Sequence, residues 1–313
     1  MTATAADLTT VVVNWNTVGL LDDCLRSIVD ATPPEVVNEI VVVDNGSHDG
    51  SVAHLAARWP DVRVMASATN EGFCRANNRA IRASSAPFVL LVNTDARLAP
   101  GAVVELLRYF HADPHAGAVG PRLTYADGSF QRWTAGRLLT LRSAAVYLLM
   151  LDRLPVWRDR GLYLAHDTTQ PFRAGWVSSA VMALRRSALD DVGLLDESIF
   201  VYMDDVDLCD RLARRGWVTW YAADTTAVHF MGASSVRDPA AASAAALAGM
   251  NTWFARRHGR AAVLTLRLLE IVGFATRAAA YAVQGSAGRS RTAHSRARSH
   301  LVHLRQALEP VDV

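Results

Sequence analysis

Four short clusters in this sequence carry side chains that could do chemistry. Asn93-Thr94-Asp95 follows the apolar run Phe88 to Val92. On an extended backbone Asn93 and Asp95 point the same way, so an amide oxygen and a carboxylate can address one hard cation or one sugar-phosphate. The plain alternative is an Asx turn at a strand exit. Asp204, Asp205 and Asp207 open an apolar-periodic segment. A helix start favours carboxylates through its dipole, but one or two satisfy that end. The third sits among like charges and calls for a cation or a reacting hydroxyl nearby. Asp44 leaves a β-branched strand into Asn45-Gly46-Ser47-His48-Asp49-Gly50-Ser51. A carboxylate there can accept from a base edge or a ribose hydroxyl, or simply close a capped turn. His229, within Ala227 to Phe230, is a lone histidine in an apolar run, which is ordinarily a core residue. The upstream carboxylates make a metal role the alternative.

The elements that must position these groups are legible from periodicity. Thr9 to Val13 reads as a strand ending in Asn14-Trp15-Asn16, Leu20 to Val29 as a helix, and Ile40 to Val43 as a second strand. This β-α-β opening implies parallel strands and a right-handed crossover. Val52 to Arg58 reads as a helix and Val62 to Ala66 as a strand, with Asn70 and Gly72 in a loop before a helix from Ala76 to Ala83. The helix start there could face a diphosphate. The Phe88 strand, a helix from Ala102 to Phe110 and a strand from Gly117 to Leu123 follow. Gly136 to Leu154 is apolar at helical spacing, yet carries Arg137, Arg142, Asp152 and Arg153, too charged to span a bilayer. Trp176 stands beside Gly175 at the start of a strand ending at Leu184, as a sugar-stacking platform or as core. A helix from Asp204 ends at Gly216, and Trp217 to Tyr221 and Thr226 to Phe230 read as two short strands.

Composition narrows the class. A chain of 313 residues with 51% hydrophobic and 20% charged residues can bury a sizeable core. Net charge is only +2, so no overall field argues for nucleic acid; every basic residue is Arg. Three scattered cysteines, Cys24, Cys74 and Cys209, have no metal spacing and suggest a reducing compartment. Met1 to Asp7 lacks the features of a signal peptide, and a cytoplasmic protein is expected. No G-x-G-x-x-G follows the first strand, which disfavours a nicotinamide dehydrogenase.

Taken in order, six segments resemble the inverting family 2 of nucleotide-sugar glycosyltransferases, and within it the rhamnosyltransferase-like branch. They are Val11 to Asn16, Asp44 to Ser51, Asn70 to Asn78, Asn93 to Asp95, Asp204 to Cys209 and Val228 to Phe230. The resemblance covers roughly residues 9 to 235 and implies a GT-A α/β fold, a mostly parallel central sheet flanked by helices. It implies a nucleotide-diphosphate sugar donor (dTDP or UDP, with dTDP-L-rhamnose in view) held by Asn16, Asp44, Asn70, Gly72, Phe73, Asn77, Asn93 and Thr94. Mg²⁺ or Mn²⁺ would be bound by Asp95, Asn93 and His229. Asp205, paired with Asp204, would be the general base, with Trp176 and Asp207 on the acceptor side. Two departures are visible: Asn93 stands where many relatives have Asp, and Asp204-Asp205 where Glu-Asp is usual. The first removes a charge from the metal motif; the second shortens a side chain beside the base.

The expected domains are 1–235, the transferase domain, and 236–313, a helical Arg-rich extension. From Arg256 to Arg305 the only acid is Glu270. On a helical wheel Arg256, Arg260, Arg267, Glu270 and Arg277 share one third of the circumference, with Leu264, Leu268, Ile271, Val272 and Ala279 elsewhere. This reads as a basic amphipathic helix that could lie on an anionic membrane leaflet, or as a helix packed on the domain with a solvated tail. The acceptor is then a lipid-linked or cell-envelope glycan. The competing readings are a tailoring enzyme for a small-molecule secondary metabolite and a catalytically inactive nucleotide-sugar-binding scaffold.

Overall fold

β-branched runs buried on both faces become the strands of a parallel sheet, and the amphipathic segments between them become its covering helices. The computed structural model describes residues 6–230, 239–288 and 291–309. The chain opens with β1 (Leu8–Asn14), α1 (Val18–Ala31), β2 (Asn38–Asp44), α2 (Ser51–Arg58), β3 (Arg63–Ala66), α3 (Phe73–Arg82) and β4 (Phe88–Asn93). It continues through β5 (Ala96–Leu98), α4 (Ala102–Ala112), β6 (Ala116–Thr124), β7 (Ala135–Gly136), α5 (Leu141–Leu148), β8 (Phe172–Ala174), β9 (Trp176–Val177) and β10 (Val181–Arg185). Then come α6 (Arg186–Val192), α7 (Asp204–Arg214), β11 (Val218–His229), α8 (Pro239–His258), α9 (Arg260–Gly288) and α10 (Arg291–Leu308).

One sheet runs β3-β2-β1-β4-β10-β6-β11-β5, with β8 also beside β11. β3, β2, β1 and β4 are parallel, β10 is antiparallel between β4 and β6, and β11 is parallel to β6. The mostly parallel α/β architecture is the expected one. Val11, Val12, Val41, Val42, Val43 and Leu91 are fully buried, as central strands covered on both sides must be.

Three local expectations change. The two short strands expected at Trp217 and Thr226 are one strand, β11, whose register against β6 slips between Ala222 and Thr226. The slip sits opposite Pro121, which has no N–H to give the ladder. The apolar stretch from Gly136 is α-helical only over α5, with a single 3-10 turn at Leu151–Arg153. A Thr140–Ser143 capping box starts that helix, and Met150 at φ 58° follows its end. Trp176 belongs to its own short strand, β9, paired with β7, rather than to the strand that ends at Leu184.

The described residues divide into two units. One runs to Gly136 and resumes from Asp167 to β11; the other joins Arg137–His166 to α8, α9 and α10. Residues 137–166, counted with the first domain from sequence, pack with the C-terminal helices because Gly273 of α9 admits close approach. A Cβ there would stand 2.6 Å from the Leu148 carbonyl oxygen.

In this second unit the wheel reading of α9 is corrected. Glu270 and Arg277 are buried, whereas Leu264 (65% exposed), Leu268 (62%) and Val272 (46%) face outward. Helix-end chemistry explains the inversion. Arg277 donates to the Tyr147 carbonyl near the end of α5, and Arg267 donates to the Ala307 carbonyl near the end of α10 (2.6 Å). Both reach carbonyls in the last turn of a helix, and the Tyr147 carbonyl also accepts from the Met150 N–H at 3.2 Å. Glu270 accepts from Asn251 at 3.0 Å, and burial pushes its carboxyl up to about 7. The Arg-rich segment expected as a tail is α10, a helix. Among the described residues no helix is long and apolar enough to cross a membrane.

Candidate active site

Register brings three strand ends level. Asn14 lies opposite Asp44, and Val13 opposite both Val43 and Asn93. This is the carboxyl edge of the parallel strands, where open α/β sheets place ligands. Asp44 is buried. Its Oδ1 accepts from Asn14 Nδ2 (2.8 Å) and its Oδ2 from the Ser47 backbone N–H (3.0 Å). The Thr17 hydroxyl donates to Asn14 Oδ1 at 2.7 Å and stands 3.0 Å from the Thr94 hydroxyl. Asn16, at φ 53°, clamps the loop after β2, its N–H donating to Ser47 Oγ (2.9 Å) and its Oδ1 accepting from the His48 N–H (2.8 Å).

A second lock joins that loop to the segment before α3. Asn45 Nδ2 donates to Asn70 Oδ1 at 2.9 Å, Asn45 Oδ1 accepts from the Glu71 N–H at 2.9 Å, and Asn70 Oδ1 accepts from the Gly72 N–H at 2.9 Å. The Phe73 N–H donates to the Phe200 carbonyl (3.1 Å), tying this segment to the run that leads into α7. Of the two adjacent asparagines, Asn77 bonds the Phe73 carbonyl within α3 (2.9 Å). Asn78 holds Leu195 through both its amide atoms (2.8 and 3.1 Å).

Asp95 and His229 are brought together by the antiparallel pairing of β5 with β11. His229 is opposite Ala96, and the Phe230 N–H donates to the Asp95 carbonyl oxygen at 2.8 Å. Asp95 is buried, and its Oδ1 is 3.4 Å from His229 Nε2. Two ligands held about 2.1 Å from one divalent ion at roughly 90–110° stand about 3.0–3.4 Å apart, so the spacing suits a shared cation. Among the described residues no group of three or more His, Cys, Asp and Glu could hold a metal ion, so the pair offers two protein donors and leaves the rest to substrate or water. Asn93, two residues before Asp95 at the end of β4, donates its N–H to the Ala180 carbonyl at 2.9 Å.

That bond carries the connection onward. Ser179, next to Ala180, lies close to the acid pair, its hydroxyl favouring the charged form of Asp204 and its backbone that of Asp205. The turn from Ser179 to Ala180 therefore joins the Asp95–His229 corner to the acid pair at the start of α7. Tyr202 and Met203 enter that helix at φ 61° and 70°, a costly conformation for residues with a Cβ. Burial pushes the Asp204 carboxyl up, with Asp207 adding to it. Burial, then the Asp204 charge, push Asp205 up to about 8. Asp207 is paired instead with Arg211 (2.8 Å), which also binds the carbonyls of Val192, Gly193 and Leu194.

Every sequence-derived site residue except Trp176 and Asp207 lies on this connected edge. Trp176 is buried, so its indole face is not presented to a ligand; the exposed aromatic rings near these segments are Trp15, Trp133 and Phe200. Sequence reading missed Asn14, Ser47 and Ser179, and also Gln131, whose Oε1 is 3.1 Å from His229 Nδ1. Asn14, at a β-branched strand exit like Asn93, carried a usable signal; Ser179 and Gln131 carried none.

Two outcomes follow. Gly46 takes φ 78°, and a Cβ there would meet the Thr69 carbonyl carbon at 2.6 Å. Gly46→Ala is expected to cost about 2–3 kcal/mol in chemical denaturation, against a control substitution on an exposed helix face. For Asp205 the raised carboxyl makes the folded state hold a proton that the unfolded chain releases near 3.8. Stability therefore falls as pH rises from that value towards about 8. Asp205→Asn removes this penalty and should raise the melting temperature at pH 8 more than at pH 4. An equal shift at both pH values would contradict the assigned environment.

Residues 9–193 match the sequence profile described as Glycosyl transferase family 2. An N-acetylglucosaminyl-diphospho-decaprenol L-rhamnosyltransferase of Mycobacterium tuberculosis is 32% identical over 253 residues, covering 76% of this chain and 80% of that protein. A mannosyltransferase from Pyrobaculum calidifontis, solved with GDP-Man and Mn²⁺, shares the fold with a TM-score of 0.62 at 18% identity, over 98% of this chain and 88% of that one. GalNAc-T7, solved with UDP, GalNAc and Mn²⁺, aligns with a TM-score of 0.54 at 15% identity; 72% of this chain matches less than half (44%) of that one. These likenesses agree with the GT-A architecture of the sheet, and the chain belongs to glycosyl transferase family 2.

Proposed function

We propose that this glycosyltransferase moves a sugar, L-rhamnose from a dTDP-linked donor, onto a hydroxyl of a lipid-linked or cell-envelope glycan, with inversion at the anomeric carbon. The observation that carries the reading is the convergence of the Asp95–His229 pair and the Asp204–Asp205 pair on the two sides of Ser179–Ala180. The relative named as a rhamnosyltransferase supports the sugar and the lipid-linked acceptor.

The donor nucleotide lies along the edge formed by Asp44, Asn16, Thr94 and the Asn70–Phe73 segment, where fixed side chains leave little reorganisation to binding. Asp95 and His229, with Asn93 beside them, hold Mg²⁺ or Mn²⁺, which when bound supplies charge neutralisation for the leaving diphosphate. Asp205 in its ionised form accepts the proton of the acceptor hydroxyl, so transfer should rise with pH towards about 8. The acceptor oxygen forms the new bond to the anomeric carbon from the face opposite the diphosphate, and the electron pair of the breaking carbon–oxygen bond leaves with the nucleoside diphosphate. Asp204, buried behind Asp205, keeps the base's proton affinity high.

The decisive experiment measures donor binding and transfer across UDP-, dTDP- and GDP-sugars, with Mn²⁺, Mg²⁺ or chelator, on wild type and Asp205→Asn. Cation-dependent binding of the dTDP sugar is expected, with turnover reduced at least about a hundredfold in Asp205→Asn while binding survives. Donor binding with no transfer by the wild type would leave the inactive-scaffold reading in its place, and absence of binding to every nucleotide sugar would overturn both.

Association with the inner face of the cell membrane is part of the same proposal. Its support is the uncharged outward stripe of α9, Leu264, Leu268, Val272 and Val283. Leu264→Glu with Leu268→Glu is expected to abolish co-sedimentation with lipid vesicles and to leave donor binding intact. Co-sedimentation unchanged by the double substitution would refute this part.

A further inference from the structure

Gln131 follows the turn that returns from β6 and is fully buried, its N–H bonded to the Leu123 carbonyl at 3.1 Å. Its side-chain nitrogen donates to the carbonyl oxygens of Thr124 (3.1 Å) and His229. Its Oε1 lies 3.1 Å from His229 Nδ1. Chemistry fixes which way this amide points. Carbonyl oxygens only accept, so the NH₂ group must face both of them; the flipped amide would set oxygen against two oxygens. Oε1 can then only accept, so Nδ1 of His229 must carry a hydrogen, and in the neutral ring the lone pair resides on Nε2.

That lone pair faces Asp95 Oδ1 at 3.4 Å. In the neutral ring, two acceptors in such a position repel unless a cation lies between them. We propose that Gln131 is the positioning residue of the cation site: it selects the His229 tautomer whose Nε2 is a metal donor and aims it at the Asp95 carboxylate. Because the same amide also binds the carbonyl of His229 itself, ring and backbone are held by one group, and ring rotation would break that arrangement. Outer-shell partners of this kind set both the orientation and the basicity of a ligating imidazole. The inference rests on the reading of Asp95 and His229 as cation ligands and adds the residue that prepares one of them.

The test begins without any substitution or metal. In ¹⁵N-histidine spectra of the metal-free full chain, at a pH where the ring is neutral, His229 should show its hydrogen on Nδ1; a hydrogen on Nε2 would overturn the proposal. The second arm measures Mn²⁺ affinity by electron paramagnetic resonance with a nucleoside diphosphate present. Gln131→Leu should weaken Mn²⁺ binding about 10–100-fold and turn the His229 signal into a tautomer mixture. A folded Gln131→Leu protein with unchanged affinity and tautomer would refute the role, and if that variant does not fold the wild-type spectrum decides. His229→Ala separates the two readings. If its Mn²⁺ affinity equals wild type, the cation assignment itself fails; if it binds weakly while Gln131→Leu binds normally, only the role of Gln131 falls.

Discussion

The antiparallel pairing of β5 with β11 is the constraint on which the rest of this site depends. Asp95 leaves the strand at the centre of the sheet, whereas His229 closes the last strand, and no local element connects them. Three residue pairs, Leu98 with Ala227, Arg97 with Val228 and Ala96 with His229, bring them within reach of one ion. The slip of β11 opposite Pro121 belongs to the same device. It lets one strand keep pairing with β6 on both sides of the break and still present its final residues to β5. Closing a contact so distant in sequence is entropically costly for an isolated pair, and here the cost is spread over a ladder that the core already stabilises.

Around that ladder the protein gathers groups a stable core would avoid. Buried Asp204 adjoins half-buried Asp205, and Tyr202 and Met203 occupy left-handed conformations immediately before them. Each is unfavourable alone, and each is held by neighbours with independent reasons to stay put. Ser179 is anchored through Ala180 to β4, and Phe200 through Phe73 to α3. Groups already held in position need not reorganise when a ligand arrives.

Much of this was legible in the sequence, and the reasons are local. Asn14, Asp44 and Asn93 each end a β-branched run, and parallel register sets such exits side by side. Three aspartates in four positions stand out because a helix dipole does not need three. What escaped was set by tertiary packing. Gln131 and Ser179 are single polar residues in unremarkable surroundings, and their importance comes from partners about a hundred or twenty-five positions away. Trp176 was ambiguous because a tryptophan beside a glycine serves a sugar face or a core equally well, and the pairing of β9 with β7 buries it.

The arginines of α9 show a further limit of pattern reading. A helical wheel reports which residues share a face, and it does so correctly for Arg267, Glu270 and Arg277, but it cannot say which face turns inward. Hydropathy alone would send the leucines in. Here arginines donate to carbonyls in the last turns of α5 and α10, and the Arg277 guanidinium lies over the Tyr147 ring at 4.7 Å. The leucines are left outside as a consequence. An outward face that is apolar beyond Arg260 attracts a surface chiefly by burying apolar area, which ionic strength hardly screens, whereas a basic face would lose its hold as salt rises. The inversion of the helix therefore changes the physical nature of any attraction it exerts.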